Sequence, residues 1–525
     1  MSGLTAVSNQ RQMPLGFFEK LNARRSDAWT NYVIGAGVVV YALLVVAAVV
    51  TGSFEFIDAV PLVPLLGYFA LRIGRSLAQA DDDPAVVKFV LAAFAAKMIG
   101  TTARYLVTEI QYNGRSDAID YHQFGKYYAP LFRRLDFSEV QSISGTDFIR
   151  TFNGIVYSFT GSSAISGALV MSFLSFIGML LLWRAFRLAV PEGAVRTYSL
   201  LILFLPSFLY WSSALGKEGW SVFGIGVVSY GVACAIVKSP MRGAALVALG
   251  IFMVTLPRPH ISLSLFCGMV LAAGIGKSRK PGAKASGVRL IVFGALLVLG
   301  FVLIGQAETF FGVSNLTQET GQTVMAEAEG ATSEAGSAFA PVRMNTPVNA
   351  PAAIGTVLFR PLPFEASNLI AFGTAAEGMF ILGLCCKYWR RLKSIPRCMR
   401  NRPYASYCVG IVLSFTYAFS AFSNFGILAR QRIQVMPFFL VLVCLPIWTR
   451  EGVISTDEAI EQRDIVVEGP YAEAPLSPVI YEATGAGEAF ATKGEPAPNQ
   501  PTYDTDVDPY ARFQTQPKPR WRRNG

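Results

Sequence analysis

Long apolar segments alternate with short polar ones between residues 30 and 449 of the chain. A bilayer core takes about 20 apolar residues per spanning helix, and fewer where a helix is buried among others, so we count about twelve spans. They cover residues 30–52, 57–73, 86–108, 162–184, 197–213, 219–237, 243–256, 261–276, 289–306, 366–386, 404–423 and 433–449. The short seventh and eighth segments have an alternative interpretation as one re-entrant pair. The pattern predicts an all-α, polytopic integral membrane protein.

Two longer polar segments interrupt this pattern, at about residues 109–161 and 307–365. In the first of them, apolar residues recur at helical spacing from Tyr121 onwards, which predicts a short helix lying in the membrane interface. Near the end of the chain, stretches rich in Pro, Glu and Ala cannot bury enough apolar surface to offset chain entropy. The predicted domains are an N-terminal segment (1–29), a transmembrane domain (30–449) and a disordered tail (450–525).

Composition and charge add an orientation to this picture. The chain is 52% hydrophobic and 15% charged, whereas soluble proteins are about 25% charged. Lys and Arg are retained on the cytoplasmic side of a membrane, and they alternate along the polar segments, most densely from Lys387 to Arg402. We therefore predict a multi-pass protein of the bacterial inner membrane with both termini in the cytoplasm. The sequence pI of about 9.2 then reflects topology, and no nucleic-acid partner is predicted.

Charged side chains also collect in short turns on the predicted external side. A charge at the membrane centre costs about 2.5–3.5 kcal/mol, so such groups usually face a cavity or one another. Snorkelling to lipid headgroups explains a single arginine, but four such turns together indicate a shared site. Because arginine forms paired hydrogen bonds to phosphate and stays protonated, the set predicts binding of a lipid-linked phosphate or pyrophosphate. The candidates are Lys217, Glu218, Arg258, His260, Arg360, Glu365, Asn424, Arg430 and Arg432.

Two carboxylates lie at the start of the predicted interfacial helix, in the stretch "SDAIDYH". Asp117 and Asp120 can be a helix cap and a first-turn acid, or one of them can be a base that takes a proton from an incoming hydroxyl. Tyr121 and His122 follow as candidate substrate-binding residues, and His260 is a competing base. The chain has no CxxC or HExxH metal signature; a divalent cation at the acids is compatible with the sequence but not required, and no cofactor is predicted.

The pattern of Asp117, Asp120 and Tyr121 in a large external loop resembles the acidic loop of GT-C class membrane glycosyltransferases. That loop usually follows the first span, whereas here it follows the third. The segments "FLPSFLYWSSALGKEGW", "LFRPLPFEASN" and "NFGILARQRIQVMPFFL" are similar to those of bacterial multispanning proteins of surface-polysaccharide assembly. The resemblance implies an all-helical enzyme that uses polyprenyl-phosphate sugars. The external arginines with His260 also resemble the O-antigen polymerase and ligase group, in which such residues handle a lipid pyrophosphate.

These observations predict a membrane glycosyltransferase that moves a sugar from a polyprenyl-linked donor to a glycan or glycolipid acceptor on the external face. The external arginines, helped by Lys217, would neutralise the departing phosphate, and Asp117 or Asp120 would deprotonate the acceptor hydroxyl. An O-antigen-type repeat polymerase or ligase is one alternative. A transporter or flippase of lipid-linked or anionic solutes is another, although the two halves of the chain show no convincing correspondence. A non-enzymatic scaffold for envelope assembly is the third.

Overall fold

The computed structural model describes residues 26–110, 117–275, 299–306, 346–448 and 453–454, together with scattered positions from 323 to 344. Regular structure in these residues is helical, apart from an antiparallel pair of two-residue strands and one isolated bridge. The strands are β1 (Ile447–Trp448) and β2 (Val453–Ile454), and the bridge joins Ala338 to Asn424. All described residues belong to one compact unit, Met1–Ile480. The predicted disordered tail lies outside the described residues except for Val453 and Ile454, which form β2, and most of the N-terminal segment also lies outside them.

The described helices follow one another closely along the chain. The first part holds α1 (Ser26–Thr51), α2 (Phe54–Asp81), α3 (Ala85–Ile110), α4 (Asp117–Arg133), α5 (Gly145–Thr160), α6 (Ala164–Ala189), α7 (Val195–Phe204), α8 (Pro206–Trp211) and α9 (Lys217–Val237). The second part holds α10 (Pro240–Thr255), α11 (Pro259–Ile275), α12 (Ala350–Phe359), α13 (Leu369–Lys387), α14 (Trp389–Lys393), α15 (Ile395–Asn401), α16 (Pro403–Phe419), α17 (Phe425–Arg432) and α18 (Met436–Val443). Short 3-10 turns span Pro347–Asn349 and Pro363–Glu365, and residues 299–306 are helical.

Six of these helices are long and apolar enough to cross a membrane, namely α1, α2, α3, α6, α9 and α13. The pair α17 and α18, bent by 64°, adds a seventh span if it is counted as one. Further apolar helices, including α10 and α11, are shorter. The described residues therefore show the predicted all-helical architecture, with helices of membrane-spanning length, whereas the predicted count of twelve spans is not confirmed.

The count differs because several predicted spans are broken or short. Proline lacks a backbone N–H and restricts the residue before it, and the predicted fifth span divides into α7 and α8 at Leu205–Pro206, where Leu205 is extended. The predicted twelfth span bends between α17 and α18. The seventh and eighth are two separate helices of 16 and 17 residues. Most of the predicted ninth span lies outside the described part of the chain.

Small residues let the central helices pack closely. At the contact of α6 with α9, a Cβ on Gly178 would lie 2.4 Å from the carbonyl oxygen of Val222. At the contact of α11 with α16, a Cβ on Gly268 would lie 2.6 Å from the carbonyl oxygen of Tyr407. Close backbone approach at small residues is a common basis of helix association in lipid. These contacts hold α9 and α11, whose first residues adjoin the charged turns.

The helix predicted from Tyr121 onwards is present as α4, and it packs against α5, which the sequence pattern does not predict. The two helices approach closely, since a Cβ on Gly125 would lie 2.9 Å from the Cβ of Asn153. A small apolar cluster joins this hairpin to α6 and to the turn before α9; its buried members are Tyr121, Ile149, Met171 and Leu215. The cluster brings the start of α4 next to the start of α9.

Candidate functional site

A buried carboxylate lies where three of the predicted charged turns meet. Glu218, near the start of α9, is 1% exposed. Arg258 donates a hydrogen bond from Nη2 to Oε1 of Glu218. Arg430 donates from Nε to the same oxygen at 2.6 Å and from Nη2 to Oε2 at 3.2 Å. Because a buried carboxylate needs paired, hydrogen-bonding partners, Glu218 holds both guanidinium groups in place.

The positions of Glu218 and Arg430 within their helices favour the charges that they carry. Glu218 lies in the first turn of α9, where the helix dipole favours a negative charge. Gly216 leaves it room, since a Cβ there would lie 3.0 Å from Oε2 of Glu218. Arg430 lies in the last turn of α17, where the dipole favours a cation, and Asn424 caps that helix by accepting a backbone hydrogen bond at 3.1 Å. Arg258 lies in the short connection between α10 and α11.

Asp117, at the start of α4, also contacts Arg430. Its Oδ2 accepts a hydrogen bond from Nη1 of Arg430 at 2.9 Å, and its side chain is 61% exposed. Lys217, beside Glu218, donates from Nζ to Oγ1 of Thr146 at 2.9 Å. We call this set the Glu218 cluster; its members are Asp117, Lys217, Glu218, Arg258 and Arg430. With three cations and two carboxylates, the cluster carries one net positive charge.

Tyr121 lies beside the cluster and is 3% exposed. A Cβ on Gly216 would lie 3.7 Å from its ring. Burial, and then the negative charges of Asp117 and Glu218, raise the pKa of Tyr121 to about 12. The hydroxyl therefore stays protonated at neutral pH and can donate a hydrogen bond.

Two glutamines support the cluster, and the sequence reasoning missed both. Oε1 of Gln431 accepts a hydrogen bond from Nη1 of Arg258 and another from Nε2 of Gln434 at 2.7 Å. This network fixes the second edge of the Arg258 guanidinium. The available signal was their position beside Arg430 in the stretch "ARQRIQ".

Asp120 has different partners from Asp117. Its two carboxylate oxygens each accept a hydrogen bond from Arg150 at 2.9 Å, and Arg150 also donates to Asp147 at 2.7 Å. The hydrogen bond with Asp120 raises the pKa of Arg150. Asp120 therefore ties α4 to α5, and in the described residues it makes no ion pair with the Glu218 cluster.

Three further predicted residues stabilise the connection between α12 and α13. Arg360 pairs with Glu365, with Nε 3.0 Å from Oε1, and its guanidinium lies 4.5 and 5.2 Å from the centres of two phenylalanine rings. Arg432 donates from Nη1 to the carbonyl oxygen of Leu358 at 2.6 Å and to that of Arg360 at 3.2 Å. The structure therefore gives these side chains partners outside the Glu218 cluster.

The two histidines lie on different helices. His260 is near the start of α11, and its ring centre is 5.9 Å from that of Phe419. His122 is on α4, with Nδ1 2.9 Å from the hydroxyl of Tyr157 and Nε2 3.9 Å from Oε1 of Glu55.

Comparison with protein-family models, curated proteins and solved structures finds no match for this chain. Within the described ranges, no three His, Cys, Asp or Glu side chains are grouped so that they could hold a metal ion.

A second polar site adjoins the Glu218 cluster. It is a cavity of about 300 Å³ beside α4, which we call the α4 pocket. Its polar lining includes Glu55, Arg104, Glu109, His122 and Gln123, and its remaining walls include Ala118, Ile119 and residues 213–215. In the chain, Ala118 is next to Asp117, and Leu215 is two residues before Lys217.

Lys97 is a charged residue that the sequence reasoning also missed. It lies in α3, is fully buried, and donates from Nζ to the carbonyl oxygen of Phe208 and to Oγ of Ser212, each at 2.7 Å. No ion pair in the described part of the chain includes it. The available signal was a single lysine within the apolar run "LAAFAAKMIG", since ionisable groups inside spans are commonly functional.

Proposed function

We propose that this protein is a membrane glycosyltransferase that moves a sugar from a polyprenyl-phosphate-linked donor to a glycan or lipid acceptor on the external face of the bacterial inner membrane. The observation that carries the proposal is the exposed ion pair of Arg430 with Asp117, built upon buried Glu218. It offers an oriented guanidinium to an incoming anion, within an apolar helical bundle that suits a lipid-linked substrate.

The cluster supports phosphate binding through its fixed arginine. Glu218 engages Nε and Nη2 of Arg430, which leaves Nη1 directed at the exposed carboxylate of Asp117. A phosphate oxygen is also an oxyanion and can replace that carboxylate on Nη1. Lys217 and Arg258 add positive charge beside this position. Preorganised cations of this kind stabilise the charge that develops on a leaving phosphate.

In this proposal Asp117 is the base, because its carboxylate is the exposed one that pairs with Arg430. The acceptor hydroxyl attacks the anomeric carbon of the donor sugar, and the bond from that carbon to the phosphate oxygen breaks. The electron pair leaves with the phosphate, which Arg430 and Arg258 neutralise. Asp117, displaced from Arg430 by the phosphate, takes the hydroxyl proton. A repeat polymerase or ligase would use the same groups on a pyrophosphate.

The transporter alternative also has a specific observation in its favour. Discontinuous helices at a buried polar site are typical of secondary transporters, and Lys97 binds the carbonyl of Phe208 in α8, next to the break at Leu205–Pro206. A transporter would move a lipid-linked or anionic solute across liposomes without breaking its sugar–phosphate bond. Product analysis in the assay below therefore separates the two functions.

The test uses the purified full chain in liposomes with a panel of polyprenyl-phosphate hexoses and a membrane glycan extract as acceptor. Release of polyprenyl phosphate measures turnover. Arg430→Ala should lower turnover by about 10²–10³-fold, the usual cost of one lost oxyanion donor. Arg430→Lys should rescue poorly because an ammonium lacks the planar fork.

Arg343→Ala is the matched control, since it removes an arginine whose partner is Glu329, outside the cluster. Its turnover should equal that of the wild type. Failure of the wild-type protein to release polyprenyl phosphate from any donor, or normal turnover of Arg430→Ala, would contradict the proposed function.

A further inference from the structure

An apolar groove lies beside the α4 pocket. It encloses about 580 Å³ between α1, α2, α3 and α6. Its walls are almost entirely apolar and include Leu44, Phe56, Phe94, Met98 and Leu169. Tyr105 and Ala168 line both the groove and the α4 pocket, so the two spaces adjoin. Together they match a molecule with a polar head and a long apolar chain.

The charges of the α4 pocket select the kind of head. Glu55 and Glu109 contribute two carboxylates, whereas Arg104 already donates from Nη1 to the hydroxyl of Tyr210 at 2.9 Å. Its buried Nε makes no hydrogen bond with any residue that the structure describes. Burial lowers the pKa of His122 from its ordinary value of 6.5, so the imidazole is neutral at pH 7. Two carboxylates disfavour a phosphate but accept hydrogen bonds from sugar hydroxyls.

The surrounding helices hold the hydrogen-bonding atoms of Glu55 and His122 in place. Oε2 of Glu55 accepts a hydrogen bond from the backbone N–H of Ala164 at 2.8 Å, at the start of α6. Tyr157 holds His122 through Nδ1 at 2.9 Å. Nε2 of His122 and Oε1 of Glu55 are 3.9 Å apart, which is too long for a direct hydrogen bond. One hydroxyl group can instead hydrogen-bond to both atoms.

We infer that the pocket and the groove bind the acceptor of the reaction, and that this acceptor is a glycolipid. Its uncharged, hydroxyl-bearing sugar lies in the α4 pocket between Glu55 and His122, and its hydrocarbon chain lies in the groove. The assignment as acceptor rests on the proposed function, whereas glycolipid binding itself does not. Ala118 of the pocket is next to Asp117 in the chain, so the pocket and the proposed base share the first turn of α4.

The test is photo-crosslinking of the full chain in nanodiscs with two probes of equal chain length. One probe is dodecyl glucoside and the other is dodecyl phosphate, each with a diazirine at the end of the chain. Mass spectrometry should map the glucoside to α1, α2, α3 and α6, with labelling about tenfold above that of the phosphate. Unlabelled dodecyl glucoside should compete for these positions.

Variants test the two parts of the site separately. Ala168→Phe fills the junction of pocket and groove and should reduce glucoside labelling about tenfold. Ala36→Phe is the matched control, because Ala36 is exposed on α1 and does not line the groove. His122→Leu removes one hydroxyl partner without adding bulk, and it should also reduce glucoside labelling while labelling by dodecyl phosphate stays the same.

Three outcomes would overturn the inference: equal labelling by both probes, preference for the phosphate, or no effect of either variant. Arg430→Ala disables only the proposed donor clamp and should leave labelling intact. Specific labelling without any donor turnover would remove the proposed function but keep the glycolipid site. Donor turnover without specific labelling would keep the proposed function but remove the glycolipid site.

Discussion

Replacing Asp117 with asparagine separates a structural role of this residue from a catalytic one. Asparagine has nearly the same size and shape as aspartate, but it carries no charge and cannot take a proton from a hydroxyl. Asp117 is the first residue of α4 and pairs with Arg430 through a side chain that is 61% exposed. The change therefore keeps the shape of the site and removes one carboxylate.

The expected loss of stability is small. Exposed ion pairs contribute about 0–1 kcal/mol, and a first-turn acid contributes about 0.3–1 kcal/mol through the helix dipole. Asp117→Asn should therefore lower the free energy of unfolding by at most about 2 kcal/mol. Loss of a general base should lower turnover by about 10²–10⁴-fold, which is a rise of about 3–5 kcal/mol in the barrier. The two effects differ enough to be separated by measurement.

Asp120→Asn is the matched control, three residues along the same helix. It weakens the pair with Arg150, while Asp147 remains as a partner of that arginine. Its turnover should stay close to that of the wild type. The assay is release of polyprenyl phosphate in liposomes, with thermal unfolding in detergent and donor binding measured on the same samples.

The base assignment would be refuted if Asp117→Asn kept full turnover, because the carboxylate would then have only a structural role and His260 would remain as the candidate base. Equal losses in both asparagine variants would also refute it, since Asp120 lies in a separate ion-pair network. Loss of donor binding by Asp117→Asn would contradict the displacement of this carboxylate by phosphate.

Three further predictions concern other parts of the molecule. Lys97→Met should leave the unfolding temperature in detergent unchanged or raise it. The substitution removes two hydrogen bonds, but it also removes the cost of burying an ammonium group. A clear decrease in the unfolding temperature would contradict this prediction. Unfolding free energy should fall below about pH 6.5, because folding lowers the pKa of His122 and the unfolded chain therefore binds more protons; chemical denaturation of His122→Gln should show a weaker pH dependence. A reporter fused after Gly330 should be external and one after Lys393 cytoplasmic, and the opposite result would place the proposed chemistry on the wrong side.

The charge pattern predicted the central residues of the candidate site but not the full set of residues that form it. Lys217, Glu218, Arg258 and Arg430 are predicted to share a cavity because they are charged residues in short, otherwise apolar turns, and the structure brings them together. Arg432 was expected there too, yet it binds backbone carbonyls instead. Residues two apart on a helix point about 200° apart, so the two arginines of α17 cannot reach the same partner. To predict which arginine joins the cluster, one must know the orientation of α17 about its own axis. No sequence pattern gives that orientation.

The prediction of the fold from sequence has a similar limit. Apolar length predicted α1, α2, α3, α6, α9 and α13 as spans because long apolar runs have few other stable conformations in lipid. It did not predict the division into α7 and α8, although Pro206 marks the place. Lys97 binds the carbonyl of Phe208, 111 positions away in the chain. Such a contact depends on tertiary packing, so composition alone could not predict it.

The helix α4 connects the two polar sites, because its successive residues face different neighbours. Asp117 and Tyr121 are four positions apart, so they lie on one face of the helix, and that face meets the Glu218 cluster. Ala118 and His122 lie on the next face and line the α4 pocket, while Asp120 faces α5. A rotation of α4 would therefore move both sites at once, and the packing of α4 on α5 prevents it. The residues from Asp117 to His122 thus join the Glu218 cluster to the α4 pocket through little more than one helix turn.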